Sequence, residues 1–251
     1  MKQLHQIGQR GSEGNPIETL RAFLARYQRW KQEEPKEFAV VVQFLQRFRA
    51  GHQELVRAER NWESSTAPHF NIFRALRIQR RETKLHSRFL AELLNPHGSH
   101  SQGDWFLNGF LEIAQGCGLR IPTGSWQPSD WQVRTEDAVK ESDRLDVVLR
   151  CGKNGGFIAV IENKVDAREQ DEQCDRYADW LNEQREFERR GLIFLTPDGH
   201  SPQTDKSGRW VCMSYREHIK NWLQAAMRER SITAPHLRVA IEQYLQIVET
   251  L

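Results

Sequence analysis

The sequence predicts an α/β protein in which helices flank a mixed β-sheet, with an α-helical element ahead of the main domain. Three observations carry this reading. Apolar residues recur at three- and four-residue steps through the first half of the chain, and the period shortens to two after Gly124. The glycine-rich run 152–156 separates two β-branched stretches, as a hairpin loop does. The polar run 63–68 interrupts the helical pattern and sets a boundary between an element at 1–65 and a domain at 66–251.

The elements follow in order. Ile17, Leu20, Phe23, Leu24 and Tyr27 form one helical face, and Phe38, Val41, Val42, Phe44, Leu45 and Phe48 a second. Pro35 between them reads as the first residue of a new helix. A third helix carries Phe73, Leu76, Leu85, Phe89, Leu90, Leu93 and Leu94, and stops at Asn95-Pro96-His97-Gly98. A fourth carries Trp105, Phe106, Phe110, Leu111 and Ile113 and closes at Gly116. Residues 131–134, 145–149 and 157–161 read as strands. A long polar helix is expected over 168–189, a buried strand over 191–195, another over 210–215, and two helices at the end.

Composition removes several classes of function. With 251 residues the chain can bury a real core. Apolar content is 38% and charged content 28%, within the range of globular proteins. The net charge of +2 balances 36 basic against 34 acidic residues, so any nucleic-acid footprint must come from clustering. No apolar run approaches the roughly 18 residues of a membrane span, and the first residues lack the apolar core of a signal peptide. The four cysteines are isolated, so reduced thiols in a cytoplasmic protein are expected, without structural zinc or a disulfide framework.

The chemistry concentrates at Asp146 and at Glu162-Asn163-Lys164. Each closes on an apolar, β-branched run, where burying charge is costly unless it is paired or binds a metal. Strand alternation sets Glu162 and Lys164 on one face and turns Asn163 away. Asp146 faces the same way as Val148, on the preceding strand. Two converging carboxylates make a hard oxygen site suited to magnesium or manganese, with the Lys164 ammonium beside it. In the following segment Gln170, Gln173 and Tyr177 are spaced to share one helical stripe. His86, His97 and His100 lack a third ligand at a familiar zinc spacing.

Asp146, Glu162-Asn163-Lys164 and Gln173-x-x-x-Tyr177 together resemble the core of the PD-(D/E)XK nuclease superfamily, with the Q-x-x-x-Y signature of its RecB-like branch. Leu145 stands where the motif has proline. The segment from Phe70-Asn71-Ile72-Phe73 through Glu82 and His86 to Asn95-Pro96 is similar to the opening helix of a prokaryotic subfamily. The resemblance covers roughly residues 68–215 and leaves the N-terminal helices outside. It implies a restriction-endonuclease-like core of order αβββαβ, and a metal-dependent deoxyribonuclease leaving 5′-phosphates. Asp146 and Glu162 would ligate Mg2+ or Mn2+, the Asn163 carbonyl would add a backbone ligand, and Lys164 would position or activate the water. Glu82 matches an additional metal acid, with Glu136 as its competitor. His86 would donate to a phosphate or hold Glu82.

Arg74, Arg77, Arg80, Arg81 and Lys84 form a basic stripe at helical spacing, fit for salt-dependent, sequence-blind phosphate contacts. Trp105, Trp126, Trp131 and Trp180 are candidates for base stacking. The expected partner is nucleic acid, DNA first, with a homodimer or protein partner through the N-terminal helices. Two alternatives stand beside this: a silent nuclease fold that only binds nucleic acid or a partner, and an RNA-directed or partner-activated nuclease in prokaryotic genome defence.

Overall fold

The computed structural model describes residues 16–121, 126–138, 144–152, 155–229 and 232–251. The chain divides into two compact units, Met1–His69 and Phe70–Leu251. Residues 153–154 of the expected hairpin loop lie outside the described residues, as does Gly124.

The described part of the first unit is built on one helix, α1 (Pro16–Thr66), not the two expected on either side of Pro35. An interior proline costs about 3 kcal/mol relative to alanine. The neighbours, Lys31-Gln32-Glu33-Glu34 before it and Lys36-Glu37 after it, are helix formers and include no turn residue, so the helical backbone continues through. Among the described residues no helix is long and apolar enough to cross a membrane.

In the second unit the helix expected over 73–94 is divided. A short α2 (Ile72–Ala75) is capped by Asn71, whose side chain accepts from the Phe73 and Arg74 amides and donates to the Gln243 carbonyl and the Gln246 side chain. Arg77 then takes a left-handed conformation at φ 56°, and a wide π-helical turn, Glu82–Ser87, leads into α3 (Arg88–Leu94). The segment is held at both ends by distant partners: Asn71 by the last helix, and Glu82 by the loop at 165–167. A straight helix is therefore given up. Helix α4 (Trp105–Gly116) follows.

The sheet comprises β1 (Trp131–Ala138), β2 (Arg144–Cys151), β3 (Phe157–Asn163), β4 (Arg189–Thr196) and β5 (Trp210–Ser214), in spatial order β1-β2-β3-β4-β5. The first three form an antiparallel meander, and β4 and β5 continue parallel to β3. Between β3 and β4 lies α5 (Gln173–Glu183), shorter at both ends than the expected 168–189. Residues 165–170 are drawn into tertiary contacts: Glu82 takes the amides of 165–167, and Glu169 accepts from Gln203 and Thr204. Helices α6 (Lys220–Glu229) and α7 (Pro235–Val248) close the chain.

Strand alternation sorts the core into two layers. Val147, Leu149, Ala159, Ile161, Ile193 and Leu195 face α3, α4, α6 and α7. Val148, Ile158, Val160, Leu192 and Phe194 face Tyr177, Ala178 and Leu181 of α5. Helices thus cover both faces, which is why β3 is buried at every position and reads as a continuous apolar run. The mixed sheet flanked by helices is the architecture expected from the sequence.

Candidate active site

The β2–β3 register, Val147 opposite Ile161 and Val148 opposite Val160, sets Asp146 beside Glu162 where the pairing of these two strands ends, β2 remaining on β1 and β3 on β4. Both are buried, Asp146 to 9% exposure and Glu162 to 2%. Asp146 Oδ2 accepts from the Asn163 amide at 2.8 Å. Glu162 Oε1 accepts from Lys164 Nζ at 2.9 Å and from Gln173 Nε2 at 2.8 Å. Glu162 Oε2 is buried and, among the described residues, has no hydrogen-bond partner.

Two residues of α5 hold this arrangement from one side. Gln173 Nε2 also donates to Tyr177 Oη at 3.1 Å, and Tyr177 Oη donates to the Arg144 carbonyl at 3.0 Å. The helix is thereby tied both to the carboxylate on β3 and to the start of β2. Gln170 lies in the loop instead, and only its amide joins, donating to Gln173 Oε1 at 3.2 Å.

Glu82 approaches from the π-helical turn. Its Oε1 accepts from the amides of Val165, Asp166 and Ala167 at 2.6–2.9 Å, so the carboxylate fixes the loop that leaves Lys164. Its charge reaches both buried carboxylates. Glu136 sits on β1 at φ 56°, at the position that falls opposite Asp146 in the β1–β2 register.

Charge in this site is unbalanced. Burial, and then the neighbouring carboxylates, push Glu162 up to about 8, and burial pushes Asp146 up to about 6. Lys164 and the Asn163 amide pull downward without prevailing. Burial works against the Lys164 ammonium, but Glu162, Glu82 and Asp146 outweigh it and hold its pKa above the ordinary lysine value. Lys164 thus faces two buried carboxylates at once, and Glu82 adds further negative charge.

Among the described residues no three His, Cys, Asp or Glu side chains form a ready cage for a metal. The residues nonetheless fit a hard divalent cation of the kind that keeps much of its water. Two carboxylates stand together with surplus negative charge, and the bare Glu162 Oε2 is an acceptor still lacking a positive partner.

Other expected site residues lie elsewhere. His86 is fully buried, with Nδ1 at 2.9 Å from Tyr244 Oη and Nε2 at 3.1 Å from the Gln79 carbonyl. Both ring nitrogens are used inside the protein, which leaves none for a phosphate. Its imidazole packs in the core against Tyr215 and Tyr244. His100 staples its own loop through Asn95 and Gln102, and His97 is exposed. Trp131 is buried in the first core layer, Trp105 and Trp126 pack against that layer, and Trp180 of α5 packs against the second, so these rings fill space. All four cysteines are free thiols.

The basic residues do not share one helix face. Arg74 donates to the Gln246 carbonyl, away from the rest. Arg77, Arg80, Arg81 and Lys84 line a cleft of about 450 Å³ together with Glu82 and Asp166. Arg80 forms a two-point ion pair with Asp166 there.

Sequence reasoning missed a buried chain behind Asn163. The Asn163 side chain donates to Ser87 Oγ at 2.8 Å and accepts from Tyr215 Oη at 2.9 Å. The strand parity that turned Asn163 away from Glu162 was the available signal. Its partners come from 76 and 52 residues away, and no local pattern reveals them.

A model of the PD-(D/E)XK nuclease superfamily matches residues 70–246. No curated protein and no solved structure matches the chain.

Proposed function

The chain belongs to the PD-(D/E)XK nuclease superfamily, and from that premise we propose that it hydrolyses phosphodiester bonds of DNA at Asp146, Glu162 and Lys164, using magnesium or manganese. One observation carries the reading: two buried carboxylates lie side by side, short of positive charge, with one oxygen of Glu162 bare. Asp146 and Glu162 would hold the cation, with Glu82 contributing charge from behind the loop. A divalent cation there supplies acidity to a bound water and offsets charge on the phosphate.

The protein's own groups do the rest. Lys164 stays an ammonium at neutral pH, so it orients the attacking water and faces the charge developing on the phosphate. Gln173 locks Glu162 in one orientation, and Tyr177 fixes Gln173 in turn. This pairing supports a place in the RecB-like branch. The cleft lined by Arg77, Arg81 and Lys84 offers charge for the DNA backbone next to Glu82.

Digestion of end-labelled linear and closed circular DNA with either metal separates endonuclease from exonuclease on one gel. The Asp146→Ala protein is the control. Cutting by that variant at the parent rate overturns the assignment.

A further inference from the structure

The first unit presents a surface that the nuclease reading does not use. Among the described residues, thirteen large apolar side chains of α1 are each between 46% and 73% exposed. An apolar surface of that extent on a soluble helix marks an interface. Its spacing identifies the kind. Ile17, Leu20, Leu24 and Tyr27 before Pro35, and Val41, Leu45, Phe48, Leu55 and Trp62 after it, all fall on the first and fourth positions of a single seven-residue frame. A straight helix drifts about 20° per heptad against such a frame. Keeping phase from residue 17 to residue 48, more than four heptads, selects a left-handed supercoil with another helix.

We propose that the occupant is a second copy of this chain, with the two α1 helices antiparallel about a two-fold axis over residues 17–48. In the register where paired positions sum to 65, Ile17 meets Phe48, Leu20 meets Leu45 and Leu24 meets Val41, each pair occurring twice by symmetry. On the flank Phe23 lies near Phe44. At the centre the register sets position 31, a lysine, against position 34, a glutamate in the sequence. The one charged layer is thus self-complementary.

A parallel pair fails the same inspection. It stacks Lys31 on Lys31 and Glu59 on Glu59 in the seam, and like charges in contact are unfavourable. Folding back within one chain is excluded by the continuous helical backbone across Pro35. The overlap of 32 residues is about 48 Å long. The stretch beyond it, with Leu55 and Trp62, stays outside the pair.

Sedimentation of the full chain tests the proposal without reference to cutting. The parent is expected at dimer mass. Lys31→Glu sets like charge across the two-fold and should weaken association more than tenfold, whereas Lys31→Glu with Glu34→Lys should restore the dimer. Circular dichroism checks that each variant keeps its helix. A monomeric parent overturns the proposal. So does a Lys31→Glu protein that dimerises as tightly as the parent, or a double variant that stays monomeric.

Discussion

Glu162 at 2% exposure, with one oxygen unpartnered, is relieved either by a proton or by a cation, and each makes a measurable difference. In the metal-free protein its pKa is raised from the ordinary carboxylate value to about 8. A folded pKa above the unfolded one gives stability that is complete at low pH and is lost as pH rises through the folded value. Between pH 6.5 and 8 the metal-free protein should therefore lose about 2 kcal/mol, one proton over that interval at 1.36 kcal/mol per unit. Thermal melts across this range are expected to fall, and Glu162→Gln should flatten them and melt higher at pH 8 while losing cutting. His86 works the other way. Its burial lowers its pKa to about 4, so its contribution is present above about pH 6.5 and declines on acidification toward 4. Between pH 6 and 4.5 protonation of Glu162 and Asp146 opposes that loss, so the check is relative: in thermal melts His86→Phe should gain stability over the parent on acidification, although the Tyr244 hydroxyl loses a partner. At this scale the sequence was informative about Asp146, Glu162 and Lys164, because strand parity and apolar runs are local. It gave no sign that His86 would be consumed by Tyr244, 158 residues away.

Among the elements, strands were the more legible. The β2–β3 hairpin and the buried β3 and β4 follow from two-residue alternation and unbroken apolar runs. The helices near the site were misread where tertiary anchors overrode propensity. An arginine at φ 56° breaks the helix expected over 73–94, and arginine carries no turn signal. Glu172 at φ 54° similarly delays α5 to Gln173. The break at Arg77 has a use: it gathers Arg77, Arg81 and Lys84 around a cleft instead of along a rod. Arg81→Ala with Lys84→Ala should therefore weaken DNA binding uniformly across sequences and reduce the salt slope by about one per residue. Fluorescence anisotropy on the Asp146→Ala background measures this without cleavage. An unchanged slope would separate the cleft from the DNA path.

The whole molecule is two units with different construction rules. Both core clusters are built from residues of the second unit, running from Leu85 to Leu251. A chain of residues 70–251 should therefore unfold in one cooperative transition and keep its cutting activity per unit, which calorimetry and the gel assay would check. If instead this fragment fails to fold, the independence of its core is refuted.

The hairpin that carries Asp146 and Glu162 also has a consequence for the order of folding. These two carboxylates are 16 residues apart, and Lys164, Gln173 and Tyr177 follow within the next 15. Closing so short a loop costs little chain entropy, so β2 and β3 are expected to pair early. At that stage both carboxylates are still hydrated, and their proximity is cheap. The electrostatic cost arrives only when the segment around Glu82 and Leu85 docks from more than 60 residues upstream and expels the water. Folding kinetics should show it: substitutions such as Ile161→Val should slow folding, whereas Leu85→Ala should mainly speed unfolding. The charged centre is thus assembled first and dried last.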